Sequence, residues 1–430
     1  MMEPRSLWAV TAGNDVVTVP LSGERHADVV VVGGGFTGLR AALETAANGA
    51  DTVVLETACV GWGASGRSGG QVNPLPHNTP EIIAKQLPAA VAQNFVQTTM
   101  RAADDLFEFI DRHGITCQAR QNGWLRVAHN SRAAATMRRD YESWRLVGAD
   151  VTLLEKNALA DYVGSDFYKL GLLFNRGGCI QPLAYVRGLA RCAQRAGAVI
   201  HTDSQAVSIK QVNEKWIVST ADGRIVARSV ILCVNGYVDA LYPPLARSIV
   251  PLVSIQTATV PLPEEIIKHV LPHDQTIADT RLQIFYGRRE PDNRVIFGTL
   301  GRMDRNGRLS NFDALQATAT AVFPALKNTR WEYEWGGCLA KTADYLPHLH
   351  ELAPGLLAGL GYNGRGVAMA QVMGLALANR VLGQSNDLLP TAPLQPYPFS
   401  GLTKLAINTG LSWMTHFDRL KKPALATPKS

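Results

Sequence analysis

No stretch of the 430-residue chain carries the ~18–20 consecutive apolar residues that a membrane-spanning helix needs, which excludes integral helical membrane topologies. Cysteine is scarce: six residues, at 59, 117, 179, 192, 233 and 338, form no C-x-x-C pair and no tight cluster. A structural zinc site or disulfide framework is therefore not expected, no metal is assigned, and a reducing cytoplasm is the simplest location. The first residues lack an apolar segment behind a basic start, so no secretory signal is expected. Charge is also sparse, at 18% of residues, with a net +6. That balance permits an anionic ligand and gives no argument for nucleic acid.

What is present is a globular pattern, 46% apolar, of a length that suggests two or three lobes. Residues 1–26 read as an irregular lead-in. The β-branched run Asp28–Val32 then predicts a buried parallel strand, followed by a glycine turn and a helix from Leu39 to about Asn48. Thr52–Glu56 reads as a second strand, which completes a βαβ unit. Further on, the pattern predicts a long helix at about 81–113, a strand at Trp124–Ala128, helices at 131–146 and 182–197, and a strand-rich stretch from 251 to 302. A short strand at 356–360 leads into an apolar helix at 365–381.

Glycine is abundant, and its placement is informative. Gly33, Gly35 and Gly38 form G-x-G-x-x-G between strand and helix, with Gly34, Phe36 and Thr37 filling the turn and acidic Glu56 ending the next strand. Such a turn lets a pyrophosphate approach the backbone at a helix N-terminus, while Glu56 can accept ribose hydroxyls and would repel a 2′-phosphate. NADP is thereby disfavoured against NAD or FAD. The loop Gly63-Ala64-Ser65-Gly66-Arg67-Ser68-Gly69-Gly70-Gln71 follows at once. It can lay backbone donors along an extended ligand and bring Arg67 near it, or place Arg67 in a structural ion pair. Gly359, Gly361 and Gly364 repeat the spacing, but no acidic strand end follows. A helix N-terminus aimed at the far end of the first ligand, or plain core packing, accounts for that second set.

On these segments, with Gly177–Ala198, Val230–Tyr237, Tyr286 and Arg288, Trp335–Pro347, Gly359–Met369 and Pro396–Phe399, the chain resembles the D-amino-acid oxidase superfamily of FAD-dependent amine oxidoreductases, in its gamma-glutamylputrescine oxidase-like branch. Ser68 departs from the Asn usual there. The resemblance implies an α/β fold in which a discontinuous Rossmann-type FAD domain (1–80, 155–240 and 336–395) interleaves with a mixed-sheet α+β substrate domain (81–154 and 241–335). It implies FAD held without a covalent bond, and adds Val207, Asn235, Gly361, Asn363, Gly364, Arg365, Gly366 and Val367 to the cofactor-binding residues. Cys59 reads as a buried thiol or as a point of flavin attachment.

The activity implied is hydride transfer from the α-carbon of a small amine to flavin N5, giving an imine that water hydrolyses, with O2 reduced to H2O2. A dehydrogenase passing electrons to a quinone or carrier, and a non-catalytic flavin redox sensor, are the alternatives. Amino-acid oxidases of the superfamily commonly carry a carboxylate-binding Arg two residues after the equivalent of Trp335-x-Gly337. Here Leu339 occupies that position, which favours an amine over an amino acid. Trp335 and Leu339 are the expected substrate-pocket residues. Lys341, on the same strand face as Leu339, Tyr286 and Tyr362 are the catalytic or pocket-wall candidates, with core or strand-end roles as alternatives. Six histidines, at 113, 129, 201, 273, 348 and 350, read as surface or capping residues. The segment Gly401–Phe417, within an expected docking segment at 396–430, reads as a helix docked on the domain or on another subunit, or as an interfacial membrane helix.

Overall fold

The structure, a computed structural model, describes residues 6–397 apart from 239, 305, 386 and 387. The expected docking segment therefore lies, beyond residue 397, outside the described residues.

Two eight-stranded sheets organise the chain. In the first, strand β1 (Gly23–Val32) lies between Gly223–Leu232 and β2 (Thr52–Leu55), all parallel, with Val32 opposite both Leu232 and Leu55. Val199–His201 extends the parallel run beyond β2, and Leu356–Leu360 extends it on the other side. His348–Ala353 closes that edge antiparallel, while 208–212 and 215–219 form an outer meander. Val29–Val32 and β2 are fully buried because helices cover one face and a second apolar cluster covers the other, so the strands read as continuous apolar runs.

The second sheet runs Trp331–Lys341, Val250–Thr259, Val295–Leu300, Tyr286–Arg289, Thr276–Asp279, Trp124–Ala128, Leu170–Phe174 and Val151–Glu155. Every pairing is antiparallel except that of 276–279 with 124–128.

Four expectations need correction. The lead-in is ordered: Ser6 caps a short helix α1 (Leu7–Thr11) by accepting from Ala9 N at 3.1 Å, and β1 begins at Gly23 rather than near 28. The long helix at 81–113 is two helices, Pro80–Gln86 and Ala89–His113. Pro88 forces Leu87 into an extended conformation and breaks the run. A boundary at 155 assigns Leu170–Phe174 to the first lobe, yet this strand pairs back on Val151–Glu155 in the second sheet. A boundary at 336 falls inside Trp331–Lys341, which pairs with 250–259 through Gly336 and Gly337 without interruption.

Candidate functional site

The C-terminal ends of β1 and β2 open onto a turn that only glycine can make. Gly33 has φ +113°, and a Cβ there would lie 2.7 Å from the Cys233 carbonyl oxygen. A Cβ on Gly38 would lie 2.0 Å from the Gly33 oxygen. Helix α2 (Phe36–Ala47) starts on Gly35, which has no side chain to cap it. Ser65 Oγ, from the following loop, accepts from Phe36 N at 3.0 Å. The N–H groups of the next two positions have no acceptor within the helix and face an anion-ready end. Phe36 itself is a core residue, its ring 5.2 Å from that of Tyr185. Glu56 is buried, and its carboxylate accepts from Gly34 N at 2.7 Å and Ala58 N at 3.1 Å. Burial raises its pKa against the pull of those donors.

Loop 61–71 lies over this turn through Gly61 N, which donates to Gly34 O at 3.1 Å, and contains a short 3₁₀ turn at Ala64–Gly66. Arg67 lies 4.3 Å over the Trp62 ring and donates to Trp62 O at 2.6 Å, so carbonyls and an indole, rather than an acid alone, orient it. Ser68 Oγ accepts from Gly70 N at 3.3 Å. Gly63 and Gly69 face rings: a Cβ at Gly63 would be 3.3 Å from Tyr237, and one at Gly69 2.8 Å from Tyr286. Gln71 has a bracing role in the fold. Its side chain donates to Ile277 O and Gly287 O, both at 3.1 Å, and accepts from Trp124 Nε1 at 3.0 Å, so it ties the loop to the second sheet.

A second glycine turn, Gly361–Gly366, meets the first. Tyr362 Oη lies 2.5 Å from Thr37 Oγ1 on α2, and burial pushes the phenol pKa well up. Gly361 N donates to Asn235 Oδ1 at 3.0 Å. Asn363 donates to Gly361 O at 2.6 Å and accepts from Thr342 N at 3.0 Å. The side chains of Asn235 and Asn363 thus brace the turn. Arg365 does likewise, donating to Leu75 O and Pro76 O and stacking 5.1 Å over Trp124. Helix Gly366–Val381 follows, with Val367 in the core. Val207 stands apart: its side chain is exposed and its N–H donates to Ser219 O at 2.8 Å, so as a ligand contact it retains its carbonyl.

The second sheet turns one face to these loops. In Trp331–Lys341, residues 335, 337, 339 and 341 share that face. Trp335 Nε1 donates to Arg67 O at 3.0 Å, and Leu339 Cδ2 lies 3.8 Å from a Cβ built on Gly364. Lys341 occupies the strand end with Nζ 4.5 Å over the Tyr345 ring. Register places Leu252 opposite Leu339, Ser254 opposite Gly337 and Gln256 opposite Trp335, then Gly298 opposite both Gln256 and Tyr286.

Sequence reading missed three contributors. Ser254 and Gln256 form a polar chain with Tyr286: Gln256 Nε2 is 2.6 Å from Tyr286 Oη, which is 2.9 Å from Ser254 Oγ, which is 3.4 Å from Thr299 O. The carbonyl at the end only accepts, so the donors all point toward it and Gln256 Oε1 remains a buried acceptor with no partner among the described residues. Alternation along 250–259 was the available signal. His77 was not among the histidines weighed, yet its Nε2 lies 2.7 Å from Asn363 O. Burial and the Arg365 charge hold its pKa well below the usual value.

A glycine turn at a helix N-terminus, an acid at the next strand end and a covering sheet define a dinucleotide-binding oxidoreductase. The family model "DAO, FAD dependent oxidoreductase" matches residues 28–380, and the chain belongs to this family, with FAD as its cofactor. It is 31% identical over 427 residues to a probable oxidoreductase, OrdL, of Haemophilus influenzae, covering 97% of this chain and 98% of that one. It is also 31% identical over 425 residues to gamma-glutamylputrescine oxidoreductase of Escherichia coli K12, covering 96% and 98%. The fold matches glycine oxidase from Geobacillus kaustophilus with TM-score 0.70 at 20% identity, over 84% of this chain and 95% of that one. Among the described residues no helix is long and apolar enough to cross a membrane.

Proposed function

We propose that the chain oxidises the carbon–nitrogen bond of a primary or secondary amine to an imine, which water hydrolyses, with dioxygen or a carrier as final electron acceptor. Bound FAD supplies the two-electron acceptor for this step. The Gly33–Gly38 turn and the first turn of α2 would hold the pyrophosphate, and Glu56 a ribose. Loop 63–71 and the turn at Gly361–Val367 would enclose the remainder. The glycine at the start of α2, which has no capping side chain of its own, and the glycines that a Cβ would crowd support this fit.

One observation carries the amine reading. The sheet face beside the loop is neutral at Leu339, Leu252, Ser254, Gln256 and Tyr286. Of the cations at this face, Lys341 lies over Tyr345, and Arg67 beside Gly337 donates to Trp62 O. Arg288 pairs with Glu290 at 2.5 Å and donates to Ile180 O at 2.6 Å, which leaves one buried nitrogen, Nη2, without a partner among the described residues. A bidentate clamp for a substrate carboxylate is not built there. Gln256 Oε1, buried and without a partner among the described residues, would be the neutral acceptor for an amine N–H. Being uncharged, it does not favour the ammonium form, whose nitrogen lacks the lone pair that expels hydride. Similarity to gamma-glutamylputrescine oxidoreductase supports a polyamine derivative as substrate.

The test is a substrate panel under air and under argon. Amines should be turned over with peroxide released, and amino acids of equal size should be at least ~10-fold poorer, the cost of an unpaired buried carboxylate. Preference for amino acids would overturn the reading. Turnover only with an added dye would assign a carrier, and not dioxygen, as the acceptor.

A further inference from the structure

The family match begins at residue 28, yet the described chain before it is not loose. Trp8, in α1, is fully buried. Its Nε1 donates to Ser68 O at 2.8 Å, inside the loop expected to enclose the cofactor. Its ring packs edge-on to Trp335 at 5.6 Å, and the Arg288 guanidinium lies 4.8 Å over it. That same guanidinium donates to the carbonyls of Gly69 and Gly70, both at 3.3 Å. Trp8 thus meets, at one point, the loop and two strands of the covering sheet.

The segment then crosses to the other end of the site. Gln181 Nε2 donates to Trp8 O at 3.0 Å, and Arg187 Nη1 to Gly13 O at 2.8 Å, which hold its path along helix Pro182–Arg195. Val19 O lies 2.9 Å from His201 Nδ1, and Leu21 N donates to Ser204 Oγ at 2.8 Å. These two partners support Glu56: its N donates to His201 O and its carbonyl accepts from Ser204 N, both at 2.9 Å.

We propose that residues 6–22 are a strap that retains FAD, with Trp8 fixing Ser68 at one end of the site and Val19 and Leu21 fixing the backbone around Glu56 at the other. The strap lies outside the matched family region, and the inference rests on FAD binding, not on the identity of the substrate. A structural tryptophan elsewhere should stabilise the fold without this effect. Trp216 supplies the comparison: it is buried in the outer meander, and its Nε1 donates to Pro354 O at 3.1 Å.

The experiment uses full-length holoenzyme carrying Trp8→Phe, Trp8→Ala or Trp216→Phe. FAD release after dilution is followed by recovery of flavin fluorescence, and unfolding by far-UV circular dichroism. Loss of one buried hydrogen bond should speed release about three- to tenfold in Trp8→Phe, and more in Trp8→Ala. Trp216→Phe should lower the unfolding midpoint while changing release less than about twofold. Should Trp8→Ala fail to fold, Trp8→Phe decides alone. Release from Trp8→Phe at the wild-type rate, or no faster than from Trp216→Phe, would overturn the proposal.

Discussion

Tyr362 Oη and Thr37 Oγ1, 2.5 Å apart, join the two glycine turns across 325 residues of sequence. One hydroxyl sits on the first turn of α2 and the other in the turn that precedes helix Gly366–Val381. The N-termini of two helices are thereby held at one point, where their partial positive charges reinforce each other toward an anionic or anion-forming ligand. Thr37 is buried, and burial pushes the Tyr362 phenol pKa up against the pull of this hydrogen bond.

Tyr362→Phe leaves the Thr37 hydroxyl without this partner. The expected loss is roughly 1 kcal/mol of stability and up to about tenfold in FAD affinity. Thermal unfolding and fluorescence titration of the FAD-free protein measure the two. Thr37→Val should give similar losses, and the double variant should cost less than the sum because the pair is coupled.

Gly38→Ala tests the turn itself. Its Cβ would lie 2.0 Å from a backbone oxygen, with no flexible side chain to yield. The variant should lose at least ~1–3 kcal/mol and retain little FAD after purification. Gly49→Ala, whose Cβ meets nothing within 4 Å but whose φ is +85°, should lose stability and keep its FAD. Flavin content per protein separates the two outcomes.

His77 predicts a pH dependence. Burial first, then the Arg365 charge, depress its pKa in the folded protein below the ordinary 6.5. The unfolded chain therefore binds the proton more readily, and stability rises with pH in that window. The contribution is complete above about 6.5 and is lost as pH falls through the depressed value. Unfolding midpoints measured between pH 5 and 8 should show a slope that His77→Gln reduces. An unchanged slope would place the titration on another group.

Gln256→Leu removes the one unpartnered acceptor on the neutral sheet face. In this variant kcat/KM for amines should fall about tenfold, with FAD content and the visible flavin spectrum unchanged. Tyr286→Phe breaks the next link, so Gln256 Nε2 loses its shorter acceptor at 2.6 Å and the amide is held less firmly. Ser254 Oγ, 3.2 Å from Gln256 Nε2, still holds the amide, so the effect should be in the same direction and smaller.

Features carried by neighbours in sequence were legible before the structure. The Val29–Val32 run, the Gly33–Gly38 turn and Glu56 lie within one βαβ unit, and each reports its role through a local pattern. Leu339 on a site-facing strand position was legible for the same reason, since a strand alternates faces. What needed the structure was pairing. The union of Ser254, Gln256 and Tyr286 depends on the register of three strands, which no local pattern encodes. Leu170–Phe174 is uniformly buried, and an apolar run does not say which sheet it joins. Trp8 shows the same limit: a single aromatic in a lead-in without periodic pattern gives no sign of a partner 60 residues away.

The central claim is tested most directly by anaerobic reduction of the bound flavin. Neutral amines, mixed with the purified yellow protein without oxygen, should bleach its visible absorbance. The rate at fixed total amine should rise about tenfold per pH unit while the ammonium form dominates, then level near the amine's own pKa. Amino acids lacking a carboxylate partner in the site should reduce it far more slowly. Bleaching by amino acids in preference to amines, or none by any member of either class, would contradict the account.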